Sequence, residues 1–345
     1  MTRKNFSVLL PYLVTAALAL VPLVGGDVPL YYQVWGMACL YGALAAAWNI
    51  YAYSGSVSLG HAAFYGLGAY GSGLLNLSWQ WSPVLTIPMG GLMAAALGGV
   101  WCLGLWRLRG VYLGLATLAA MEVIRVVVDN WDSFTSGSMG LVGLSRLPTF
   151  FPGVDRGFGG ELKEQYLVLL AFLAVVTAAH GLILGCRWGW ALRAIRENET
   201  AAAMIGIPVN HHRSLALVAS AGLTGWCGAL YAHVVGVLEP ALVFSLHLSA
   251  LPLVLSIFGG WRHAVGPILG ALILYPLDQL VFQPRFPQGH GALYGLVILV
   301  AIYFFPGGVA AWLTPAGKLL MTGSGGGGQM PAPSAPSATP PPPTP

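Results

Sequence analysis

Fixed charge is what this sequence has least of. Its 345 residues include only 15 Lys or Arg and 11 Asp or Glu, so 8% are charged, against roughly 25% in a soluble domain. With 57% hydrophobic residues and a mean hydropathy of +0.74, a chain of this size has too little polar surface to cover a core in water. That excludes a soluble globular protein and places the chain in a bilayer. The four cysteines (Cys39, Cys102, Cys186 and Cys227) contain no C-x-x-C pair, so they read as small apolar side chains. No G-x-x-x-x-G-K-[ST] occurs, which excludes a Walker-type nucleotide loop on this chain. A net charge of +4 is spread singly between apolar runs, so no basic face forms and nucleic acid is not an expected partner. His180, His233, His247 and His290 lack spaced partners for a metal. A lone Ser, His or Asp among apolar runs lacks the base and orienting group of a catalytic site. No catalytic, metal or cofactor residues are therefore assigned.

What is present is a series of apolar stretches near the roughly 20 residues needed to cross hydrocarbon. Ten are read: Phe6 to Val24, Leu30 to Tyr51, Ser58 to Leu77, Val84 to Trp106, Val111 to Val128, Glu164 to Cys186, Ser214 to Gly236, Leu246 to Gly260, Ala264 to Phe282 and Gly291 to Leu313. The expected fold is an all-α polytopic membrane protein. Cytoplasmic loops retain Lys and Arg, and an N-terminus inside puts ten of them (Arg3, Lys4, Arg107, Arg109, Arg187, Arg193, Arg196, Arg213, Arg262 and Lys318) in the cytoplasm. Arg146, Arg156, Lys163 and Arg285 lie outside, and Arg125 falls within a span. Both termini are then cytoplasmic. Ala17-Leu18-Ala19 could end a signal peptide, but the apolar run continues to Val24, which suits a retained anchor. Spans two to five and seven to ten run in opposite senses, the expectation for an inverted repeat about a central path. Residues 1–320 form the membrane domain. From 321 to 345 the chain is a Gly- and Pro-rich tail, expected to be disordered because it has few apolar side chains to offset its ordering entropy.

Two loops are long: an outer one over 130–163 and an inner one over 187–213, the most charged stretch of the chain. From Trp190 to Ile205 nearly every residue favours helix, Gly206 is placed to cap it and Pro208 to stop it. Ala201, Ala202, Ala203 and Gly206 give that helix a face with almost no side-chain bulk, which permits close approach by a partner. The competing reading lays an amphipathic helix on lipid headgroups, with Arg193 and Arg196 facing phosphates.

This loop resembles the coupling segment of ABC-importer permeases, and the whole chain to about Leu320 is most similar to the branched-chain amino acid (LivM-like) permease family. Three further stretches carry the resemblance: Gly55-Ser56-Val57-Ser58-Leu59-Gly60-His61-Ala62-Ala63-Phe64; Arg109-Gly110-Val111-Tyr112-Leu113 through Glu122 and Arg125 to Asn130-Trp131-Asp132; and Gly259-Gly260-Trp261 to Gly266-Pro267-Ile268-Leu269-Gly270-Ala271. Asn198 stands where the family commonly has an acidic residue, and His211-His212 replaces an aromatic and basic pair. The resemblance implies a non-enzymatic transport subunit in a prokaryotic plasma (inner) membrane. Its partners would be a second, homologous permease, two ATP-binding cassette subunits and a substrate-binding protein. Coupling to the ATPases falls on Arg193, Arg196, Glu197, Glu199, Ala201, Ala202 and Gly206. The solute would be a branched-chain or related amino acid, with urea, amide or sugar permeases as the nearest alternatives.

Ionisable groups within spans are costly and rare. Glu122, Arg125 and Asp129 fall at i, i+3 and i+7, so they share a helical face; they read either as an orienting ion pair or as part of a polar pathway. A proton-driven transporter using Glu122 is the rival class. Ser58, Gly60 and His61 lie where a helix break could expose backbone polar groups to a cavity, or simply where a helix starts.

Overall fold

The computed structural model describes residues 13–22, 28–105, 107–147, 158–304 and 307–312. Part of the first expected span and the whole tail lie outside them. The helices are α1 (Leu13–Pro22), α2 (Pro29–Ala52), α3 (His61–Trp79), α4 (Pro83–Leu105), α5 (Gly110–Asn130), the short α6 (Asp132–Thr135), α7 (Phe158–Gly185), α8 (Arg187–Glu197), α9 (Glu199–Met204) and α10 (Val209–Val235). They continue as the short α11 (Pro240–Val243), then α12 (Leu246–Gly259), α13 (Gly266–Leu277), α14 (Gln283–Arg285), α15 (His290–Phe304) and α16 (Val309–Trp312). A single turn of 3₁₀-helix (Gly137–Met139), a π-helical stretch (Asp278–Phe282) and two two-residue strands, β1 (Leu141–Val142) and β2 (Val237–Leu238), complete the described elements.

Five helical segments among the described residues are long and apolar enough to cross a membrane: Pro83–Leu105, Gly110–Asn130, Glu161–Gly185, Val209–Val235 and Pro240–Gly259. α2 is different. It has no charged residue, and nearly its whole inner half is buried, as suits a helix apolar all round and enclosed by others. It packs on α7, α13, α10 and α12, while α10 packs on α4, α3 and α2. Glycines permit this closeness: a Cβ on Gly228 of α10 would lie 1.9 Å from the Tyr65 carbonyl oxygen of α3, and one on Gly270 of α13 2.0 Å from the Leu255 carbonyl oxygen of α12.

Several boundaries differ from the sequence expectation: α7 begins at Phe158 rather than Glu164 and α10 at Val209 rather than Ser214, so the loops expected over 130–163 and 187–213 both end in helix, and three further spans start late or are interrupted. The third span was placed from Ser58, but helix begins at His61 because the Ser58 hydroxyl takes the Gly60 N–H at 3.3 Å, and the Thr117 hydroxyl takes the Leu59 N–H at 3.1 Å. The ninth, expected as one helix to Phe282, turns from α-helix to π-helix at Asp278–Phe282, next to Pro276, which has no N–H to donate. The last is interrupted ahead of Val309, where α16 begins, with Gly308 at φ +76° just before it.

Loops that the Lys and Arg count places on one side meet at one end. There Arg196 packs against Gly55 and over Trp261, and Arg109 pairs with Glu199. At the opposite end β1 pairs antiparallel with β2 (Leu141 with Leu238, Val142 with Val237), and Ser145 accepts from His233 Nδ1 at 2.7 Å through its carbonyl.

Candidate functional site: the charged end and the buried hydroxyl contacts

The segment after α7 is not the single helix over Trp190–Ile205 that its propensities suggest. Asn198 adopts an extended conformation (φ −158°, ψ 108°) and breaks the run into α8 and α9. Its side-chain oxygen accepts the Ala201 N–H at 2.9 Å, the N-cap role that Asn fills well. The far end is as expected. Gly206 has φ +89°, with Gly206 N–H donating to the Ala203 carbonyl and Ile207 N–H to that of Ala202, both at 3.0 Å; this is the paired bonding of a Schellman cap.

α8 is held inward by Leu192 and Ile195, both buried. Arg193 and Arg196 pack over aromatic rings of the helical body. The Arg193 guanidinium lies 5.2 Å from the Tyr53 ring and 5.0 Å from that of Trp190, and its Nε donates to the Tyr53 hydroxyl. Arg196 sits between Tyr53 at 5.0 Å and Trp261 at 5.2 Å, a cation over two aromatic faces. It also donates to Glu197 at 2.8 Å, and that bond together with the guanidinium charge holds the Glu197 carboxyl below its ordinary range. Trp261 is itself tied down, its carbonyl accepting from Asn49 Nδ2 of α2 at 2.8 Å.

α9 is clamped at its first residue. Glu199 accepts from Arg109 Nε at 3.0 Å and pairs with Arg213 Nη1 at 2.8 Å. Arg109 also donates to the Asn210 side chain at 2.8 Å. Partial burial works to raise the Glu199 pKa, but the charges and hydrogen bonds of Arg213 and Arg109 outweigh it and hold it below the usual carboxylate range. One carboxylate thus joins α9 to the N-cap of α5 and to Arg213 of α10.

The small face divides. Ala202 is buried with Ile195 and Val209, against Ile207, whereas Ala201, Ala203 and Gly206 are exposed. Beside them Met204 is 84% and Ile205 76% exposed, and Trp190 of α8 is 63% exposed. The end of the molecule therefore presents an apolar, low-relief surface on a module in which Arg193, Arg196 and Glu199 turn back toward the helical body.

The other site residues are placed elsewhere. Ser58 and His61 are buried; His61 Nδ1 lies 3.1 Å from the Ser58 hydroxyl and Nε2 2.8 Å from that of Ser220 on α10. Gly60 is packed so closely that a Cβ there would lie 2.2 Å from the Thr117 carbonyl oxygen. Glu122 and Arg125 do pair along α5, but on its outer surface, with side chains 48% and 34% exposed. Sequence spacing missed a second hydroxyl and imidazole cluster. His233 Nε2 lies 2.9 Å from Ser72 and 3.0 Å from Thr86 hydroxyls, and His233 Nδ1–H donates to Ser145. These partners are 88 to 161 residues away, so no local pattern could reveal them. Among the described residues no group of His, Cys, Asp and Glu could hold a metal ion.

Comparison with known proteins places this arrangement. Residues 30–302 match the family described as the permease component of branched-chain amino acid transport systems. The chain is 28% identical over 284 residues to the high-affinity branched-chain amino acid transport system permease protein LivM of Escherichia coli K12, covering 77% of this chain and 66% of that protein. It therefore spans just under two thirds of that relative's length. It is 23% identical over 230 residues to a probable branched-chain amino acid transport permease protein LivH of Methanocaldococcus jannaschii, covering 64% of this chain and 71% of the relative. It is also 26% identical over 215 residues to the autoinducer 2 import system permease protein LsrC of Klebsiella pneumoniae, covering 61% and 58%. No solved structure matches the chain. With nearly the whole described helical body inside the matched region, the chain belongs to the family of branched-chain amino acid transport system permease components.

Proposed function

We propose that this chain is one permease subunit of an ATP-driven importer for branched-chain or related amino acids, in a prokaryotic plasma membrane. The observation that carries the reading is the α8–α9 module: an exposed apolar tip of Ala201, Ala203, Met204 and Ile205 on an element whose Glu199, Arg193 and Arg196 grip α5, α10, α2 and the α12–α13 turn. A partner seated on that tip can displace several helices at once, because each grip is a short contact that moves with α9. Two ATP-binding cassette subunits would dock there and in the second permease, ATP hydrolysis being theirs. A soluble binding protein would deliver substrate at the opposite end.

Ten spans with both termini cytoplasmic fit the grouping of the loops. What supports an inverted repeat is the exchange of packing: α2 lies against α12 and α13, and α10 against α3 and α4, the relation expected when each half supplies its first helix to the other half. The Glu122–Arg125 pair lies on the α5 surface beside exposed Val123, Val126 and Val127. Charges at membrane depth face protein or water rather than lipid, so this face would meet the second permease and border the path between them. The likeness to LsrC supports transport of solutes other than amino acids as the second reading.

The docking assignment is tested by Met204→Asp and Ala203→Arg in the complex with its ATP-binding subunits. Both positions are exposed, so insertion of the permease should be unchanged while the ATPases no longer co-purify. Undiminished co-purification and transport would remove α9 from the coupling surface.

A further inference from the structure

Four side chains at the charged end of the molecule close a ring. The Arg196 guanidinium of α8 lies 5.2 Å from the Trp261 ring, in the turn between α12 and α13. The Trp261 carbonyl accepts from Asn49 Nδ2 of α2 at 2.8 Å, and Asn49 Oδ1 lies 3.3 Å from His180 Nε2 of α7. From α7 the chain returns to α8 across one residue, with Cys186 N–H donating to the Leu182 carbonyl at 3.1 Å and Trp190 N–H to that of Cys186 at 3.2 Å. Asn49 and His180 are fully buried. The Arg196 side chain is 14% exposed, and its Nη1 is buried with no acceptor among the described residues, so the faces of Tyr53 and Trp261 hold that side of the cation.

The two backbone joints of this ring are stiff. In the α12–α13 turn a Cβ on Gly259 would lie 1.8 Å from the Gly266 carbonyl oxygen, and His263 N–H donates to Gly260 at 3.0 Å and Gly266 N–H to His263 at 3.1 Å. At the α7–α8 joint a Cβ on Gly189 would lie 2.5 Å from the Ile183 carbonyl oxygen. Close-packed contacts of this kind transmit displacement instead of absorbing it. Asn49 suits its place because one amide offers a donor to the turn and an acceptor to α7; an apolar side chain there would leave both partners unsatisfied. We infer that Asn49 and Trp261 are positioning residues for coupling, locking α8 to the start of α13 so that a displacement of the α8–α9 module carries α2, α7 and α13 with it as one body. The inference deepens the importer reading and rests on it for the source of that displacement. Glu199 fastens the module to α5 and α10, whereas the ring delivers its motion to the α12–α13 turn.

The test uses the complete complex with its companion permease, ATP-binding subunits and binding protein. In proteoliposomes the readout is leucine accumulated per ATP hydrolysed, a ratio that loss of folded complex does not change. Asn49→Ala and Trp261→Leu should leave ATP hydrolysis within twofold of the wild type and lower the ratio at least tenfold. Trp261→Phe, which keeps a ring face for Arg196, should stay within twofold of the wild-type ratio. In nanodiscs, a non-hydrolysable ATP analogue should alter hydrogen exchange over both 187–204 and 259–268 in the wild type. In Asn49→Ala and Trp261→Leu the change over 187–204 should remain, while that over 259–268 shrinks at least threefold. An unchanged ratio in Asn49→Ala, a wild-type response of 259–268 in either variant, or a Trp261→Phe as defective as Trp261→Leu would overturn the ring. Should Asn49→Ala fail to assemble, Trp261→Leu, at a half-buried position, carries both readouts. A wild-type complex that hydrolyses ATP and accumulates no leucine would refute the amino acid reading alone, since the exchange measurement still decides whether α8 and α13 move together.

Discussion

At the scale of single residues, the charged side chains act as fasteners. Glu199 joins three helices through Arg109 and Arg213, and its carboxyl is held below the ordinary range. A depressed carboxylate pKa means that the charged form is favoured by folding, so the contribution is fully present above the unfolded value of about 4.3. It is lost as pH falls through the folded value. Hydrogen exchange in α9 should therefore be constant from pH 7 down to about 5 after correction for intrinsic rates, and should accelerate below 4; Glu199→Gln should already show the fast rate at pH 7. Protection that persists unchanged in Glu199→Gln would show the clamp to be idle. Glu122 and Arg125 make a similar pair on α5. Removing one partner leaves the other charge without its counter-ion within a membrane span, where a lone charge is costly. Glu122→Gln and Arg125→Leu alone should harm expression more than the two together. A double variant that inserts well yet transports at a small fraction of the wild-type rate would place the pair on the path, and purely additive damage would show the two residues to be uncoupled.

Among elements, apolar helices were legible because burial in lipid or in a helical body leaves an unmistakable run of side chains. The expected Leu30 to Tyr51 became Pro29–Ala52, and Val111 to Val128 became Gly110–Asn130. What sequence misjudged were interruptions set by single hydrogen bonds: Ser58 with Gly60, and Asn198 with Ala201. Helix propensity sums over many residues and is blind to one cap in the middle. The inward turn of Arg193 and Arg196 was equally hidden, since its cause is Tyr53 and Trp261, 140 and 65 positions away along the chain. The break at Asn198 carries its own expectation. Asn198→Ala removes the α9 cap and should cost about 1 kcal/mol of local stability, seen as faster exchange in α9 with α10 unchanged. Faster exchange spread evenly over α10 would mean that α8 and α9 do not behave as a jointed pair.

The molecule as a whole is a helical body gripped at one end by a two-helix module and closed at the other by the β1–β2 ladder and the His233 contacts. The family and the helical class were readable from composition and motifs, whereas the ring through Arg196, Trp261, Asn49 and His180 was not, because Asn49 stands 212 residues from Trp261 and 131 from His180. Truncation after Thr322 should leave uptake at the wild-type rate, as 13 of the following 23 residues are Gly or Pro and none is charged; a clear loss at equal expression would assign the tail a partner. The most direct test of the central claim is leucine accumulation in proteoliposomes holding this chain, its companion permease, the ATP-binding subunits and the binding protein. Accumulation should require ATP, be indifferent to a proton ionophore, and fall to background with Met204→Asp while the ATPase subunits still hydrolyse ATP on their own. Uptake that collapses with the ionophore, or that proceeds without ATP or without the ATPase subunits, would contradict the account.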